Sequence, residues 1–318
     1  MTATQSPRNP QPLGSLSVSP LSLGGNVFGW TADEAESFAV LDAYVAGGGN
    51  FIDTADAYSA WVPGNKGGES ETVLGNWLAS RGNRSDVVIA TKVGAHPDLK
   101  GLSAATIKSA VDGSLTRLRT DYIDLYYTHY DDESVEVGEF LTALDDLVRA
   151  GKVREIAASN ISAKRLEESL AFSAREGLAR YVALQPHYNL VSRDTYEGEL
   201  ADVAARHGLA AVPYFALASG FLTGKYRPGT TVDSARSGGA LKYVDTDRGQ
   251  RVLQALDTVA AAHEAEPATI ALAWLAAQPT VAAPIASART VEQLPALLAV
   301  ADLTLTEAEL ALLNEASA

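Results

Sequence analysis

The chain alternates between short apolar segments and longer helix-like segments along almost all of its 318 residues. The apolar segments recur about once every 35 residues, and the segments between them have the length that covers one face of a parallel sheet. This pattern predicts strands at Leu21–Gly25, Asn50–Asp53, Asp86–Val93, Tyr122–His129, Val153–Asn160, Tyr181–Gln185, Leu209–Phe215 and Val281–Ser287. Because strand–helix repeats without a break in composition favour one closed parallel sheet, the pattern predicts a single barrel.

Two of the helix-like segments show the helical pattern clearly. In Glu136–Gly151 the apolar residues fall on one face, and Gly151 stands where a C-terminal cap is expected. Thr106–Leu118 carries a similar apolar stripe, and Ser103 can cap its start. No linker rich in proline and serine divides the chain. We therefore predict an α/β fold, a single (β/α)8 TIM barrel over residues 13–318 with long loops at its C-terminal face.

Composition limits the kinds of partner that we expect. Residues 1–12 are rich in Pro, Gln, Ser and Thr and lack an apolar signal-peptide core, so we expect a flexible tail there. No apolar segment approaches the length that spans a bilayer, and the absence of cysteine excludes disulfides and thiolate metal sites, which fits a cytoplasmic protein. The net charge of −14 argues against a nucleic-acid partner, because phosphate binding normally needs a basic surface.

Four residues with chemically useful side chains follow successive predicted strands. Asp53 ends the second strand and Tyr58 comes shortly after it, while Lys92 and His129 stand at the ends of the next two strands. The pKa of tyrosine is ordinarily about 10, and a nearby ammonium lowers it by stabilising the phenolate. Such a tyrosine can give a proton to an oxygen that gains negative charge, while an imidazole orients that oxygen.

Each of these residues also has an ordinary structural explanation. Asp53 can cap the turn after its strand, and Tyr58 can be an aromatic residue of the rim. Lys92 can be a solvated residue at a strand end, and His129 can be a core residue bonded to the backbone. Because parallel strands end at one edge of a sheet, we expect all four side chains to meet in a site suited to carbonyl chemistry.

A glycine-rich turn follows the predicted strand Leu209–Phe215. Residues Ser219–Lys225 contain Gly220 and Gly224, so their amides can approach a pyrophosphate, and Lys225 adds a positive charge. An ordinary surface turn is the alternative interpretation. An acidic protein that binds an anionic dinucleotide has to gather its cations locally, and this turn is one place where it can do so.

A second candidate for anion binding, Ser287–Gln293, follows the last predicted strand. Thr290 and Gln293 have the spacing of a capping box, which predicts a helix N-terminus with free N–H groups beside Arg289. An ordinary cap with a solvated arginine is the alternative. Both candidates follow the last two strands, where a barrel of this kind commonly binds phosphate, and this placement favours a dinucleotide site.

Seven motifs of the chain resemble those of the aldo-keto reductase family in order and close to their spacing: GGNFIDTADAY, VIATKVG, DYIDLYYTH, IAASN, LQPHYNL, SGFLTGKY and SARTVEQL. The resemblance extends from about Gly24 to the last helix. It implies an oxidoreductase that reduces an aldehyde or ketone to an alcohol by hydride transfer from NADPH, without a metal. It also implies a catalytic tetrad of Asp53, Tyr58, Lys92 and His129, with Tyr58 as the general acid.

The resemblance also implies the residues that bind the cofactor. Ser159, Asn160 and Gln185 match the residues that bond the nicotinamide carboxamide, and Tyr214 matches the aromatic residue on which the nicotinamide stacks. The later motifs match the pyrophosphate loop and the adenosine-phosphate site. The full predicted set is Gly25, Asn26, Ser159, Asn160, Gln185, Tyr214, Leu217, Ser219, Gly220, Leu222, Gly224, Lys225, Ser287, Arg289 and Gln293.

The sequence departs from the family pattern at two places. The usual Tyr-Ser-Pro-Leu after the seventh strand is Tyr-Phe-Ala-Leu at 214–217, and Leu297 replaces an asparagine that is common in the family. These changes affect the expected contacts to adenine. Arg289 still favours NADPH over NADH, because a guanidinium can bind a 2′-phosphate through two hydrogen bonds.

The substrate is predicted only as a class. Trp30, Trp61 and Tyr130 are the predicted pocket residues, and Phe215 and Tyr243 are further candidates, which together suggest a flat or ring-bearing ketone, aldehyde or sugar. Packing inside the barrel is the alternative for several of them. The expected partner is thus a small carbonyl compound, and we expect a monomer or weak homo-oligomer.

The segment from Lys225 to Thr246 has no sustained helical or alternating pattern, so it is predicted to be a long loop. Loops of this length are usually lids, binding loops or disordered segments. Its cations Arg227, Arg236 and Lys242 can settle over an anion, so we predict a flap over the cofactor. A solvated, disordered insertion is the alternative.

Two other classes of function fit parts of the sequence. A regulatory subunit that senses NADPH with little turnover can use the same fold, because a fold does not fix a function. A metal-dependent hydrolase would need ligands from His96, His129, His187, His207 and His263. These histidines include no His-x-His pair, so the reductase is the function that the sequence favours.

Overall fold

The computed structural model describes residues 9–232, 235 and 237–318. In these residues the strands are β1 Gln11–Leu13, β2 Leu16–Val18, β3 Ser22–Gly24, β4 Phe51–Asp53, β5 Val88–Val93, β6 Ala95–His96, β7 Leu99–Lys100, β8 Ile123–Thr128, β9 Val153–Ser159, β10 Tyr181–Gln185, β11 Ala210–Ala211 and β12 Ile285–Ala286. The helices are α1 Glu34–Ala46, α2 Glu69–Arg81, α3 Ala104–Leu118, α4 Val137–Arg149, α5 Ala163–Glu176, α6 Glu199–His207, α7 Ser237–Val244, α8 Asp247–Ala262, α9 Pro267–Ala276, α10 Leu294–Leu298 and α11 Glu307–Ser317.

Eight strands form one parallel sheet in the order β11-β10-β9-β8-β5-β4-β3-β12. The two outer strands of this order are joined by backbone hydrogen bonds. The Ala211 amide donates to Thr280 O at 2.8 Å, and the Ala282 and Ile285 amides donate to Ala211 O and Pro213 O, both at 2.9 Å. The sheet therefore closes on itself, and the predicted α/β fold with an eight-stranded parallel sheet is confirmed.

The buried apolar residues form two clusters. The larger one packs the outward side chains of the strands against the helices. The smaller one fills the inside of the sheet and includes Leu13, Leu16 and Val18 of the β1–β2 hairpin together with Phe51, Leu125 and Ala183 of the strands. Because the hairpin packs among these inner residues, it covers one end of the barrel and leaves the carboxyl ends of the strands to form the site.

The hairpin corrects the predicted extent of the N-terminal tail. The flexible tail was expected over residues 1–12, but Gln11 and Pro12 lie in β1, where they pair with Val18 and Ser17 of β2. The order of this segment follows from burial of Leu13, which is 0% exposed. Residues 1–8 of the predicted tail lie outside the described part of the chain.

Two predicted strands are much shorter than expected. Leu209–Phe215 is reduced to Ala210–Ala211, and Val281–Ser287 is reduced to Ile285–Ala286. Proline lacks the N–H group that a sheet ladder needs, so Pro213 and Pro284 limit the regular pairing of these segments. The other six strands agree with the predicted positions to within two residues at each end.

The helix signals predicted for α3 and α4 are confirmed. The Ser103 hydroxyl accepts a hydrogen bond from the Thr106 amide at 3.2 Å, and α3 begins at Ala104. Gly151 follows the end of α4 with φ of 72°, a backbone conformation that glycine adopts without strain. None of the described helices is long and apolar enough to cross a membrane.

Part of the predicted long loop after Lys225 is a helix. α7 spans Ser237–Val244, although Gly238 and Gly239 weaken the local helical signal. Burial of Ala240 and Val244 in the main cluster compensates for this low propensity. Arg236, one of the cations assigned to the flap, lies outside the described residues.

Candidate active site

The carboxyl ends of neighbouring strands bring the predicted site residues together. Asp53 is the last residue of β4, Ser159 the last of β9 and Gln185 the last of β10, while His129 directly follows β8. Because the strands are parallel and adjacent in the sheet, these ends meet on one side of the barrel. A cleft of about 870 Å³ opens there.

A buried ion pair forms the floor of this cleft. Lys92 is 0% exposed, and its Nζ lies 2.8 Å from both carboxylate oxygens of Asp53. The same Nζ donates to the Thr54 carbonyl at 2.8 Å and to the Tyr58 hydroxyl at 2.9 Å. Gln185 Nε2 donates to Asp53 Oδ1 at 2.9 Å, so the carboxylate is held from a second strand.

The Tyr58 hydroxyl therefore lies between two charged groups. It accepts from Lys92 and donates to Asp53 Oδ2 at 3.1 Å. Burial lowers the pKa of Lys92, while the charge and hydrogen bonds of Asp53 act in the opposite direction. The pair thus places an ammonium and a carboxylate at the phenol oxygen. Asp53, Tyr58 and His129 line the cleft, while Lys92 lies beneath it.

His129 is held as a neutral imidazole. Its backbone amide donates to Val93 O at 2.9 Å, and its ring stacks on Tyr130 with centroids 4.8 Å apart. Burial, with a smaller contribution from the positive charge of Lys92, lowers the pKa of His129 to about 3. Its Nδ1 atom has no hydrogen-bond partner among the described residues. An uncharged ring beside Tyr58 can orient a substrate oxygen without repelling Lys92.

A network of polar side chains continues the cleft away from Tyr58. Asn160 Nδ2 donates to the His129 carbonyl at 2.8 Å and to Ser159 Oγ at 3.0 Å, and the Tyr214 hydroxyl donates to Asn160 Oδ1 at 2.8 Å. On the opposite wall Ser287 Oγ donates to Asn26 Oδ1 at 2.7 Å. These residues all line the cleft, together with Gln185.

The turn after Tyr214 lines the next part of the cleft, but its amides differ from the expectation. The amides of Gly220 and Leu222 donate to Leu217 O at 2.8 and 3.2 Å, and the amide of Gly224 donates to Phe221 O at 3.1 Å. These donors close the turn itself, so they are not free for a pyrophosphate. Leu217, Ser219, Gly220, Thr223 and Lys225 line the cleft, whereas Leu222 and Gly224 do not.

The last predicted motif forms the far end of the cleft. Ser287, Arg289 and Gln293 all line it. The predicted capping box is wrong, because Thr290 makes no side-chain cap and Gln293 Oε1 instead accepts from the Arg289 amide at 2.8 Å. A short 3₁₀ turn, Val291–Gln293, takes the place of the expected helix start. Gln293 thus fixes the backbone of Arg289 rather than capping a helix.

Aromatic side chains surround the Tyr58 end of the cleft. Three of them line it and are about half exposed: Trp61 at 51%, Tyr130 at 54% and Phe215 at 48%. Trp30 does not line the cleft but packs edge-on against Trp61, with centroids 5.5 Å apart. Tyr243, a further candidate from the sequence, is instead in hydrogen-bonding distance of Ser192, at 3.2 Å.

Gly25 and Lys92 also do not line the cleft. Lys92 lies beneath it, and a side chain at Gly25 would meet the Asp53 carbonyl and Ser70 Oγ at 3.0 Å. Sequence reasoning also missed residues that do line it, notably Ala95, Glu266 and Glu292. Nothing in the local sequence distinguishes Ala95 and Glu266, which the fold brings to the cleft from separate segments, whereas Glu292 lies within the predicted motif Ser287–Gln293.

Unusual backbone conformations concentrate at this cleft. Asn160, Phe215, Ala218 and Ser219 have φ values of 48°, 53°, 48° and 58°, which are uncommon for residues with a side chain. Such conformations persist where the surrounding structure holds them, and they are frequent at functional sites. In the described part of the chain no group of three or more His, Cys, Asp or Glu side chains can hold a metal ion.

Comparison with known proteins agrees with this geometry. The model of the family described as "Aldo/keto reductase family" matches residues 20–318. The chain is 34% identical to Protein tas of Escherichia coli, over 94% of both chains. It is 33% identical to norsolorinic acid reductase B of Aspergillus parasiticus, over 95% of this chain and 81% of that protein, and 34% identical to the uncharacterized oxidoreductase YrpG of Bacillus subtilis, over 94% and 92%. The chain belongs to the aldo/keto reductase family, as its motifs indicated.

Proposed function

We propose that this oxidoreductase reduces an aldehyde or ketone to an alcohol, with NADPH as the hydride donor and Tyr58 as the general acid. The observation that carries the proposal is the position of the Tyr58 hydroxyl, 2.9 Å from the buried Lys92 ammonium and 3.1 Å from Asp53. An ammonium at this distance stabilises the phenolate and so favours release of the proton. General acid catalysis of this kind contributes about 10²–10⁴-fold to a rate.

The residues along the cleft suit a dinucleotide. Asn160, Ser159 and Gln185 present amide and hydroxyl groups beside the ring of Tyr214, which suits a flat carboxamide-bearing ring. Farther along, the cations Lys225 and Arg289 line the cleft, and an otherwise acidic protein needs such cations to hold phosphates. When bound, the cofactor would supply a hydride to the carbonyl carbon.

The protein's own residues handle the proton. As the carbonyl oxygen gains negative charge, Tyr58 gives it a proton and Lys92 stabilises the remaining phenolate. Asp53 holds Lys92 in position, and the neutral His129 ring orients the carbonyl oxygen. Tyr58 then regains a proton from solvent. In the direction of alcohol oxidation the same phenolate acts as the base.

The choice of nucleotide is proposed to depend on Arg289. A guanidinium can make two charge-assisted hydrogen bonds to a 2′-phosphate, which NADH lacks. Glu266 and Glu292 line the same end of the cleft, and their negative charges would repel a phosphate. A cation such as Arg289 is therefore needed there to offset this repulsion. We therefore propose NADPH as the preferred cofactor, with NADH as a weaker one.

The substrate is proposed to be an uncharged carbonyl compound with a flat ring. The aromatic rings of Trp61, Tyr130 and Phe215 line the cleft near Tyr58 and are about half exposed, while Lys225 and Arg289 line its proposed nucleotide end. Stacking on exposed rings favours flat apolar molecules over small aliphatic ones. The names of two similar proteins, both called norsolorinic acid reductase, agree with a reductase of this kind.

A spectrophotometric screen tests the proposal. Oxidation of NADPH and NADH is followed with aromatic aldehydes, quinones, keto-steroids, keto-sugars and small aliphatic aldehydes. We expect turnover with NADPH and a preference for the neutral ring-bearing compounds. Tight NADPH binding without turnover on any carbonyl would instead indicate a cofactor-sensing protein. In that outcome the proposed function would be wrong.

A further inference from the structure

The loop between β4 and α2 buries a second acidic residue that the proposed reaction does not use. Asp56 is 1% exposed, and neither of its carboxylate oxygens has a hydrogen-bond partner among the described residues. Its backbone amide donates to the carbonyl of Lys92 at 3.4 Å, so its backbone lies next to that of the site lysine. Burying a charged carboxylate without partners costs free energy, so the neutral, protonated form of this group is favoured.

The groups around Asp56 come from several elements. Ion pairs already occupy the two nearby cations, since Lys92 binds Asp53 at 2.8 Å and Arg117 binds Glu71 at 2.7 Å. The other facing groups are the buried Tyr126 hydroxyl of β8 and, near the backbone carbonyl of Asp56, the ring of His96. With three buried carboxylates and two cations in one region, Asp56 is the carboxylate that lacks a cation of its own.

Burial and this charge balance both favour the neutral form of Asp56. Burial, and next the negative charge of Glu71, raise the pKa of Asp56 to about 8, while Arg117, Lys92 and the Ala57 amide act in the opposite direction. A carboxyl with this pKa loses its proton in mildly alkaline solution. Its charge therefore changes between neutral and alkaline pH.

We propose that Asp56 is a positioning residue behind the Lys92–Tyr58 pair, a carboxyl that keeps its proton at neutral pH and places a second negative charge beside Lys92 when it loses that proton in alkali. The ionised form strengthens the hold on the Lys92 ammonium and opposes formation of the Tyr58 phenolate. The part of the proposal that concerns Tyr58 rests on the proposed function. The part that concerns the proton on Asp56 does not.

The first test is the pH dependence of stability. The pKa of Asp56 is raised from about 3.9 in the unfolded chain to about 8 in the folded protein, so its favourable contribution is complete below pH 3.9 and is lost as the pH rises to 8. Asp56→Asn carries no proton to lose. We expect its melting temperature, relative to that of the wild type, to rise between about pH 4 and about pH 8 and then to level off.

Asp124→Asn is the matched control. Asp124 is also 1% exposed, but it is paired with Arg84 at 2.7 Å and Arg154 at 2.9 Å, and it does not line the cleft. Its substitution leaves two arginines without their carboxylate, so it should lower the melting temperature near neutral pH without the rise expected for Asp56→Asn. A melting temperature of Asp56→Asn that falls relative to the wild type from pH 4 to pH 8 would overturn the proposal.

The second test is the pH profile of alcohol oxidation with NADP⁺. Removing the charge of Asp56 should move the rising limb of kcat/KM, where Tyr58 loses its proton, to lower pH by about one unit, because the phenolate of Tyr58 no longer meets a second carboxylate. Asp124→Asn should leave the limb in place. A limb that stays in place or moves upward in Asp56→Asn contradicts the positioning role, whereas absence of turnover in the wild type contradicts the proposed function instead.

An infrared titration of the wild-type protein covers the case in which Asp56→Asn does not fold. The carbonyl band of a protonated carboxylic acid should be present at neutral pH and disappear as the pH rises through about 8. Loss of such a band supports the proposal even without a variant. A spectrum with no protonated carboxyl at neutral pH would show that Asp56 is ionised, and the proposal would fail.

Discussion

Lys92 is the residue on which the other polar groups of the site depend. It is fully buried, and it contacts the Asp53 carboxylate, the Thr54 carbonyl and the Tyr58 hydroxyl through a single ammonium. A buried charge is tolerated only where its partners are close and complete. The stability of the protein and the proposed acidity of Tyr58 thus depend on the same contacts.

Lys92→Met should therefore reduce stability as well as turnover. Removing the ammonium leaves Asp53 buried beside Gln185 and Tyr58 without a cation, which should lower the free energy of unfolding by about 3 kcal/mol or more. Urea unfolding measures this loss. Lys108→Met is the control, because the exposed Lys108–Asp146 pair at 3.4 Å should contribute less than about 1 kcal/mol. Equal losses in the two variants would mean that the buried Lys92–Asp53 pair contributes no more to stability than an exposed ion pair.

His129 gives a prediction for acid. Its pKa is lowered from about 6.5 in the unfolded chain to about 3 in the folded protein, so stability that is present above pH 6.5 is lost as the pH falls toward 3. The advantage of the wild type over His129→Asn in melting temperature should shrink across this range. His207→Asn, at a partly exposed imidazole 2.9 Å from Glu167, serves as the control. A constant difference for His129→Asn would show that the imidazole is not held neutral.

The sequence was informative about residues that end strands and less so about residues between them. Asp53, Ser159 and Gln185 could be placed because each follows an apolar run. Asp56 stands within the same motif as Asp53 and Tyr58, yet only the fold shows that its carboxylate is buried without a hydrogen-bond partner among the described residues. The surroundings of such a side chain depend on contacts between elements that are distant in sequence, and the local sequence pattern carries no information about these contacts.

At the scale of elements, α7 and the turn before it pack together at the cleft. A side chain at Gly239 of α7 would meet the Ser219 hydroxyl at 2.7 Å, whereas a side chain at Gly238 would meet nothing within 4 Å. Ser219 lines the cleft and has φ of 58°. The small size of Gly239 thus allows the helix to lie against a residue that we expect to contact the cofactor.

The two neighbouring glycines allow a matched test of this contact. Gly238→Ala should leave NADPH affinity unchanged and add up to about 1 kcal/mol of stability, because alanine has the higher helix propensity. Gly239→Ala gains the same propensity but displaces Ser219, so its NADPH affinity should fall severalfold in a fluorescence titration. Equal affinities of the two variants would mean that α7 does not position the turn.

The region around α7 is also where the sequence pattern failed to predict a helix. The pair of glycines conceals α7, whose order comes from the burial of Ala240 and Val244. The flap that was predicted over 225–246 stays a prediction, although Arg227 is paired with Asp257 at 2.7 Å. The six longer strands and the helix boundaries around α3 and α4 could be predicted because their apolar periodicity is strong.

At the scale of the whole molecule, the charge distribution determines where an anionic cofactor can bind. The protein carries a formal net charge of −14, and an anionic dinucleotide has to bind against that field. Lys225 and Arg289 both line the cleft, on the turn before α7 and after the last strand of the barrel. The closure of the sheet brings these two segments, which are far apart in sequence, to one cleft.

Arg289→Ala should distinguish the two nicotinamide cofactors. A charge-assisted contact to the 2′-phosphate of about 1.5–3 kcal/mol corresponds to roughly 10–150-fold in affinity for NADPH, whereas NADH should be affected much less. Fluorescence titration with both cofactors measures the difference. If both affinities fall equally, Arg289 does not bind the 2′-phosphate, and Lys225 becomes the better candidate for that contact.

Tyr58→Phe tests the proposed mechanism most directly, because it removes the one hydroxyl that is proposed to protonate the substrate oxygen and is not proposed to contact the dinucleotide. The measurement is kcat/KM for carbonyl reduction together with the Kd for NADPH, in the variant and the wild type. We expect kcat/KM to fall by about 10²–10⁴-fold while the Kd changes little. Turnover within about tenfold of the wild type, against that expected loss, would contradict the assignment of Tyr58 as the general acid.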